Sequence, residues 1–177
     1  MDTTFSRIDN GKMLFYELDL PDVIALRNNF FKYDERYKSI SCSFLDTQWF
    51  HEVNVVDGLL LLAGGVLYYF EEEQIRHFFI AAADHFGTCD FYFDSLSPLG
   101  LKIGKRQVLK SGGMGSMGRG WGLKKANALE SWDKRIKVMS AVPMSKGMKQ
   151  GLPFMTKIIM TISDTLGVCS MVHLRIE

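Results

Sequence analysis

Alternation constrains this chain most. Apolar runs of strand length take turns with helical patterns along nearly its whole length. Residues 12–19 read as a strand and 22–31 as a helix, with Pro21 in its first turn. Residues 39–44 predict a second strand, closing on Leu45-Asp46. The near-continuous apolar run 55–62 has the pattern of a parallel strand buried on both faces. Residues 71–86 predict an amphipathic helix with Ile75, Phe78, Phe79 and Ala82 on one stripe and three glutamates at its positive end. Strands follow at 89–94, 136–142 and 168–176, with a helix near 153–166 between the last two. Six strands alternating with helices predict one α/β domain, residues 1–177, with a doubly wound, mostly parallel sheet. The one break in composition, residues 111–122, is rich in Gly, Ser and Met and reads as a loop.

A length of 177 residues suits a single domain, and a net charge of +1 gives no global field to favour nucleic acid or an anionic membrane. No apolar run reaches the ~18–20 residues of a membrane span. The first residues carry no basic-plus-apolar signal peptide. Cys42, Cys89 and Cys169 are odd in number, far apart and without a CxxC, the pattern of buried thiols in a reducing cytoplasm rather than of disulfides or a zinc site.

Candidate site residues fall at strand ends. Asp19 closes the first strand, where open α/β sheets place the acid that accepts hydrogen bonds from ribose hydroxyls. Asp is equally at home there as a cap for the next helix. Leu45-Asp46 closes the second strand; Asp46 could accept from an adenine amino group while Leu45 or Phe44 covers the ring, or it could cap the turn at residues 47–50. Ala63-Gly64-Gly65 follows the 55–62 run, where glycines let a ligand approach the backbone or simply make a turn. Tyr68 and Tyr69 line a pocket mouth or belong to the core. His51, His77, His85 and His173 are scattered and form no legible catalytic constellation. Arg119, Trp121 and the neighbouring lysines resemble an RNA-binding patch, but the segment is too short and too poor in aromatics for a stacking platform; a solvated loop or a lid fits better.

Four blocks taken together carry a resemblance: Phe15-Tyr16-Glu17-Leu18-Asp19-Leu20-Pro21, Ser43-Phe44-Leu45-Asp46-Thr47-Gln48-Trp49, Leu62-Ala63-Gly64-Gly65-Val66-Leu67-Tyr68-Tyr69-Phe70-Glu71-Glu72-Glu73 and Phe91-Tyr92-Phe93-Asp94-Ser95-Leu96-Ser97-Pro98. Their order resembles the leucine carboxyl methyltransferase family, in its bacterial branch of O-methyltransferases associated with polyketide biosynthesis. The resemblance implies a class I S-adenosylmethionine-dependent methyltransferase with sheet order 3-2-1-4-5-7-6 and an antiparallel last strand. It implies that Asp19 holds the cofactor ribose, Leu45 and Asp46 the adenine, and Ala63-Gly64 the region of the methionine moiety. The chain departs from the family twice. Ala63-Gly64-Gly65 stands where many relatives have Ala-Glu-Gly, so one polar cofactor contact is missing. Only Asp2-Thr3 and Arg7 match the first glycine-rich motif, so an N-terminally truncated domain with weak or absent cofactor binding is expected.

Methyl transfer from a sulfonium is an in-line displacement in which the protein supplies alignment and a dry pocket. A carboxylate acceptor needs no base, whereas a hydroxyl acceptor benefits from one; Tyr68, Tyr69 and His51 are the candidates. The expected partner is a small-molecule methyl acceptor, with no metal. Two alternatives stand beside this reading: a non-catalytic, self-associating remnant of a methyltransferase, and a nucleotide-dependent oxidoreductase on a similar sheet. Absence of the family's first strand leaves 12–19 and 55–62 with unpaired edges, which predicts either direct pairing of the two or, preferably, a homodimer.

Overall fold

The structure, a computed structural model, describes residues 3–110 and 120–177. The chain divides into two compact units, Met1–Val56 and Asp57–Glu177.

In the first unit, α1 (Thr4–Ile8) precedes β1 (Phe15–Asp19), α2 (Pro21–Arg27) and β2 (Tyr37–Ser41), with a 3-10 turn at Thr47–Glu52. β1 and β2 pair in parallel, from Phe15 opposite Tyr37 to Asp19 opposite Ser41. An aromatic cluster fixes this register: Phe5 stacks on Tyr37 at 4.4 Å, Phe15 meets the same ring edge-on at 5.8 Å, and Tyr33 lies 4.7 Å from it. β2 starts and stops earlier than the predicted 39–44. Its ladder ends where the Cys42 amide donates to the Asp19 carbonyl (3.1 Å), and the chain then turns, with Asp46 N donating to Ser43 O (3.0 Å). α2 ends at Arg27 rather than Phe31, where the amides of Asn29 and Phe30 bond three residues back, to the Leu26 and Arg27 carbonyls, and tighten the chain into a turn.

The second unit holds β3 (Leu60–Ala63), α3 (Glu72–Phe86), β4 (Cys89–Leu96), α4 (Pro98–Lys110), β5 (Ile136–Pro143), α5 (Phe154–Thr165) and β6 (Cys169–Ile176). The sheet order is β3-β4-β6-β5. β3 runs parallel to β4, and β6 runs antiparallel to both β4 and β5, as predicted for the last strand. The stripe read on α3 is the core: Ile75, Phe78, Phe79 and Ala82 are buried. Phe79 meets Phe91 of β4 edge-on at 5.0 Å and lies 6.0 Å from Phe93 and from Trp132. Burial of side chains this size stabilises the fold by about 1.5–3 kcal/mol each. At its N-terminus α3 closes a capping box, with Glu71 N donating to Gln74 Oε1 (2.9 Å).

Three expectations fail here. The run 55–62 is not a strand buried on both faces: only Leu60–Ala63 is extended, Asp57-Gly58 turns the chain with Gly58 at φ +135°, and Leu60 and Leu62 are 53% and 54% exposed. Among the described residues β3 has a single ladder partner, β4. The alternative to a homodimer, direct pairing of the first strand with β3, is not seen: among the described residues β1 pairs with β2 and β3 with β4. Trp121 is not a surface aromatic of a basic loop: it is buried, 5.5 Å from Trp132 and 6.3 Å from Phe93. Residues 111–119 of that loop, Arg119 among them, lie outside the described residues, as does Asp2. Among the described residues no helix is long and apolar enough to cross a membrane.

One polar cluster ties β4 to β6. Asp90 accepts from His173 Nε2 (2.6 Å) and from Arg175 Nε (3.2 Å) and Nη2 (3.0 Å). The Arg175 hydrogen bond, followed by that of His173, holds the Asp90 carboxyl below its usual value. A carboxyl depressed on folding stabilises the protein above its unfolded pKa of about 3.9, and that contribution is lost as pH falls through the lower folded value. Wild type is therefore expected to lose more unfolding free energy than Asp90→Asn between about pH 6 and about pH 3 in urea titrations. Parallel pH curves for the two proteins would refute the linkage.

Candidate functional site

Two strand edges carry the candidate residues. In the first unit, β1 and β2 end side by side, so Asp19 and the Leu45-Asp46 segment issue from neighbouring strands. β1 carries two acids, and the structure separates their roles. Glu17 is engaged by buried Arg27, with Nη2 3.0 Å from Oε2. Asp19 is half-buried at the strand end, where Oδ1 accepts from Leu20 N (2.8 Å). A carboxylate has about four acceptor positions, so this bond leaves room for a vicinal diol. Asp46 is the N-cap of Thr47–Glu52: Oδ1 accepts from Gln48 N (3.1 Å), leaving Oδ2 for another donor. Leu45 is half-buried, and its amide donates to Ser43 Oγ (3.3 Å). The Trp49 indole donates to Phe44 O (3.1 Å) and anchors this loop from below. His51 sits exposed on the same 3-10 turn.

In the second unit the carboxyl ends of β3 and β4 are adjacent, with Ala63 opposite Phe93. Ala63 is buried and Gly64 exposed. Among the described residues, a Cβ added at Gly64 would meet no atom within 4 Å. Gly65 adopts φ +74°, a conformation that favours glycine, and its amide donates to Asp94 Oδ1 at 2.5 Å. Asp94 is buried at 7% exposure. Tyr68 and Tyr69 follow on the 3-10 turn Leu67–Tyr69, ring centroids 5.0 Å apart; Tyr68 is half-buried and Tyr69 mostly exposed.

Burial first, and the Asp94 charge second, push the Tyr68 phenol above its usual value; the same two causes push the Cys169 thiol up to about 11. Both groups keep their protons at neutral pH, which makes Tyr68 a poor general base and a competent hydrogen-bond donor. Cys89 is likewise pushed up to about 11 by burial and then Asp90.

Asp19, Leu45, Asp46 and His51 thus fall in the first unit, and Ala63, Gly64, Tyr68 and Tyr69 in the second. Asp94 was missed as a site residue. Its signal was a lone carboxylate closing the otherwise apolar Phe91-Tyr92-Phe93 segment. Among the described residues no group of three or more His, Cys, Asp or Glu could hold a metal ion.

Solved structures share this α/β fold, with mostly parallel strands and one reversed strand. One is a DUF574 family protein from Streptomyces avermitilis (TM-score 0.61, 10% identity, covering 92% of this chain and 64% of that one). A second is LepI in complex with SAM (TM-score 0.54, 9% identity, 98% and 38%). A third is a SAM-dependent methyltransferase from Anabaena variabilis (TM-score 0.51, 9% identity, 98% and 81%). The chain spans less than two thirds of the length of the first two. No family model and no curated relative matches the sequence.

Proposed function

We propose that this chain is an S-adenosylmethionine-dependent methyltransferase domain of the small-molecule type, with a hydroxyl or carboxylate acceptor in the polyketide-type branch of the leucine carboxyl methyltransferase family. The observation that carries this reading is the reversed strand β6, antiparallel to both neighbours within β3-β4-β6-β5. It favours a methyltransferase over the oxidoreductase alternative, because dinucleotide-binding sheets of the doubly wound type are mostly parallel. The names of LepI with SAM and of the Anabaena protein point the same way.

Each unit, taken by itself, carries groups that suit part of the cofactor. In the first, Asp19 accepts from the ribose hydroxyls with the oxygen its Leu20 bond leaves over, Leu45 covers the adenine, and Asp46 accepts from its amino group through Oδ2. In the second, Ala63-Gly64 closes β3 beside the end of β4, where the resemblance implies the methionine moiety. S-adenosylmethionine, when bound, supplies the activated methyl group. The chain's own contribution is alignment, potentially about 7–11 kcal/mol of barrier. Free Cys42, Cys89 and Cys169 suit a reducing cytoplasm.

Calorimetry with S-adenosylhomocysteine and NAD tests the reading. S-adenosylhomocysteine is expected to bind and NAD not. Asp19→Ala is expected to weaken binding by about 1–3 kcal/mol, the cost of unpaired hydroxyls. Gly64→Ala is expected to leave the melting temperature unchanged, since the added methyl meets no described atom. Preference for NAD, or an unchanged affinity in Asp19→Ala, would reject the assignment.

We also propose that the chain is a homodimer, the state in which a non-catalytic remnant would act. β3 ends its sheet with Leu60 and Leu62 more than half exposed, and an apolar edge of this kind invites pairing with a second copy. Light scattering at dilute concentration is expected to give twice the 20.1 kDa chain mass; a stable monomer overturns the claim.

A further inference from the structure

The geometry points to Asp94 as the positioning residue of this site: its carboxylate holds the Gly64-Gly65 peptide so that the Gly64 carbonyl faces the ligand and accepts from a primary ammonium group. The inference rests on the methyltransferase reading and deepens it by naming which part of the cofactor this edge takes.

One peptide plane links Asp94 to Gly64. Gly65 N donates to Asp94 Oδ1 at 2.5 Å, and Asp94 is 93% buried within the sheet. No peptide bond in the described chain is cis. In a trans peptide the N–H and C=O point in opposite directions. Fixing the Gly65 amide on Asp94 therefore turns the Gly64 carbonyl away from that carboxylate, at a residue that is itself exposed and whose Cβ position meets no described atom. Gly65 at φ +74° tolerates no other residue without strain, and the Tyr68 hydroxyl lies 3.3 Å from where a Gly65 Cβ would be.

A side-chain oxygen suits this duty, because a buried amide needs an acceptor. An outward carbonyl is an acceptor only. Of the groups on S-adenosylmethionine, the α-ammonium is the strong donor that such a carbonyl takes, and it belongs to the amino-acid portion. This carbonyl replaces the polar side chain that the Ala63-Gly64-Gly65 sequence lacks.

The test compares S-adenosylhomocysteine, which carries the ammonium, with 5′-methylthioadenosine, which lacks the amino-acid portion. Asp94→Ala removes the acceptor, whereas Asp94→Asn keeps an oxygen for the Gly65 amide. By calorimetry, Asp94→Ala is expected to weaken S-adenosylhomocysteine at least about tenfold and methylthioadenosine less than about twofold, with Asp94→Asn within about threefold of wild type for both. Hydrogen exchange at the Gly65 amide of the unliganded chain supplies a second readout: protected in wild type and Asp94→Asn, fast in Asp94→Ala.

Equal losses for both ligands, an Asp94→Asn as poor as Asp94→Ala, or Gly65 exchange indifferent to Asp94 would each overturn the positioning role. No binding of either ligand by wild type would overturn the methyltransferase reading, and with it the role of Asp94 toward an ammonium.

Discussion

Gly100→Ala is expected to destabilise the protein by about 2–3 kcal/mol in urea unfolding. In an exposed helix interior the same change is favourable by up to about 1 kcal/mol, because alanine has the higher helix propensity. Gly100 lies in the first turn of α4, and there the gain is outweighed. A Cβ built on it falls deep inside van der Waals contact with the Val168 carbonyl oxygen and also crowds the Val168 side chain. Neither partner can retreat. The Val168 carbonyl accepts from Ser97 N at 3.1 Å, and the Val168 amide donates to Ser163 O at 3.0 Å. The Gly100 amide is itself tied to Ser97 Oγ at 3.2 Å. This contact locks the start of α4 against the residue that leads into β6, so the damage reaches the antiparallel strand that distinguishes the sheet. Gly64→Ala is the internal control, since its Cβ meets nothing. A Gly100→Ala protein as stable as wild type would mean that the α4–Val168 contact is not held as described.

That contact joins residues 68 positions apart, and α4 shows why part of this fold was hidden in the sequence. Gly100 and Gly104 interrupt Pro98–Lys110, and its basic residues read as a surface patch, so the helix is less apolar than α3 and was not separated from the loop that follows it. Where periodicity is strong the reading succeeds. Ile75, Phe78, Phe79 and Ala82 mark one face of α3, and alternation in β4, β5 and β6 places their ends within two residues. The run 55–62 misled because hydrophobicity alone does not distinguish a strand from exposed apolar chain; Asp57-Gly58 was the turn signal inside it. Trp121 was hidden by its Gly-rich neighbours, which allow a buried aromatic to arrive from a loop. At the candidate site, Asp46 was legible as a cap because Asp before a helical turn has a local mechanism. The Asp94–Gly65 bond spans 29 residues and has no local trace.

Glu17→Leu is expected to cost about 3–5 kcal/mol of stability, and adding Arg27→Met is expected to restore most of it. Glu17 and Arg27 form an ion pair at 3.0 Å between β1 and the last turn of α2, with side chains 15% and 3% exposed. The Arg27 guanidinium also donates to Tyr37 Oη at 3.1 Å and lies 4.7 Å above the Phe31 ring. Removing the carboxylate leaves a buried guanidinium that cannot lose its proton, since arginine stays charged at any accessible pH. The neutral phenol and ring compensate only part of that charge. The cost arises from the stranded charge rather than from the lost bond, so removing the charge as well should recover it: replacing a whole buried pair by apolar residues of similar volume is often neutral. A double-mutant cycle in urea reads this as a coupling of several kcal/mol, well above the ~0.5 kcal/mol scatter of independent sites. Hydrogen exchange at the β1 and β2 amides should show the loosening in the first unit, where this pair lies. Additive effects of the two substitutions would mean that Arg27 finds adequate compensation without Glu17. The pair also bears on the site: with Glu17 held by Arg27, Asp19 is the acid of β1 at the carboxyl end of the strand. Losing ligand binding in Glu17→Leu while Glu17→Leu/Arg27→Met regains it would show that the pair acts by keeping β1 and β2 in register.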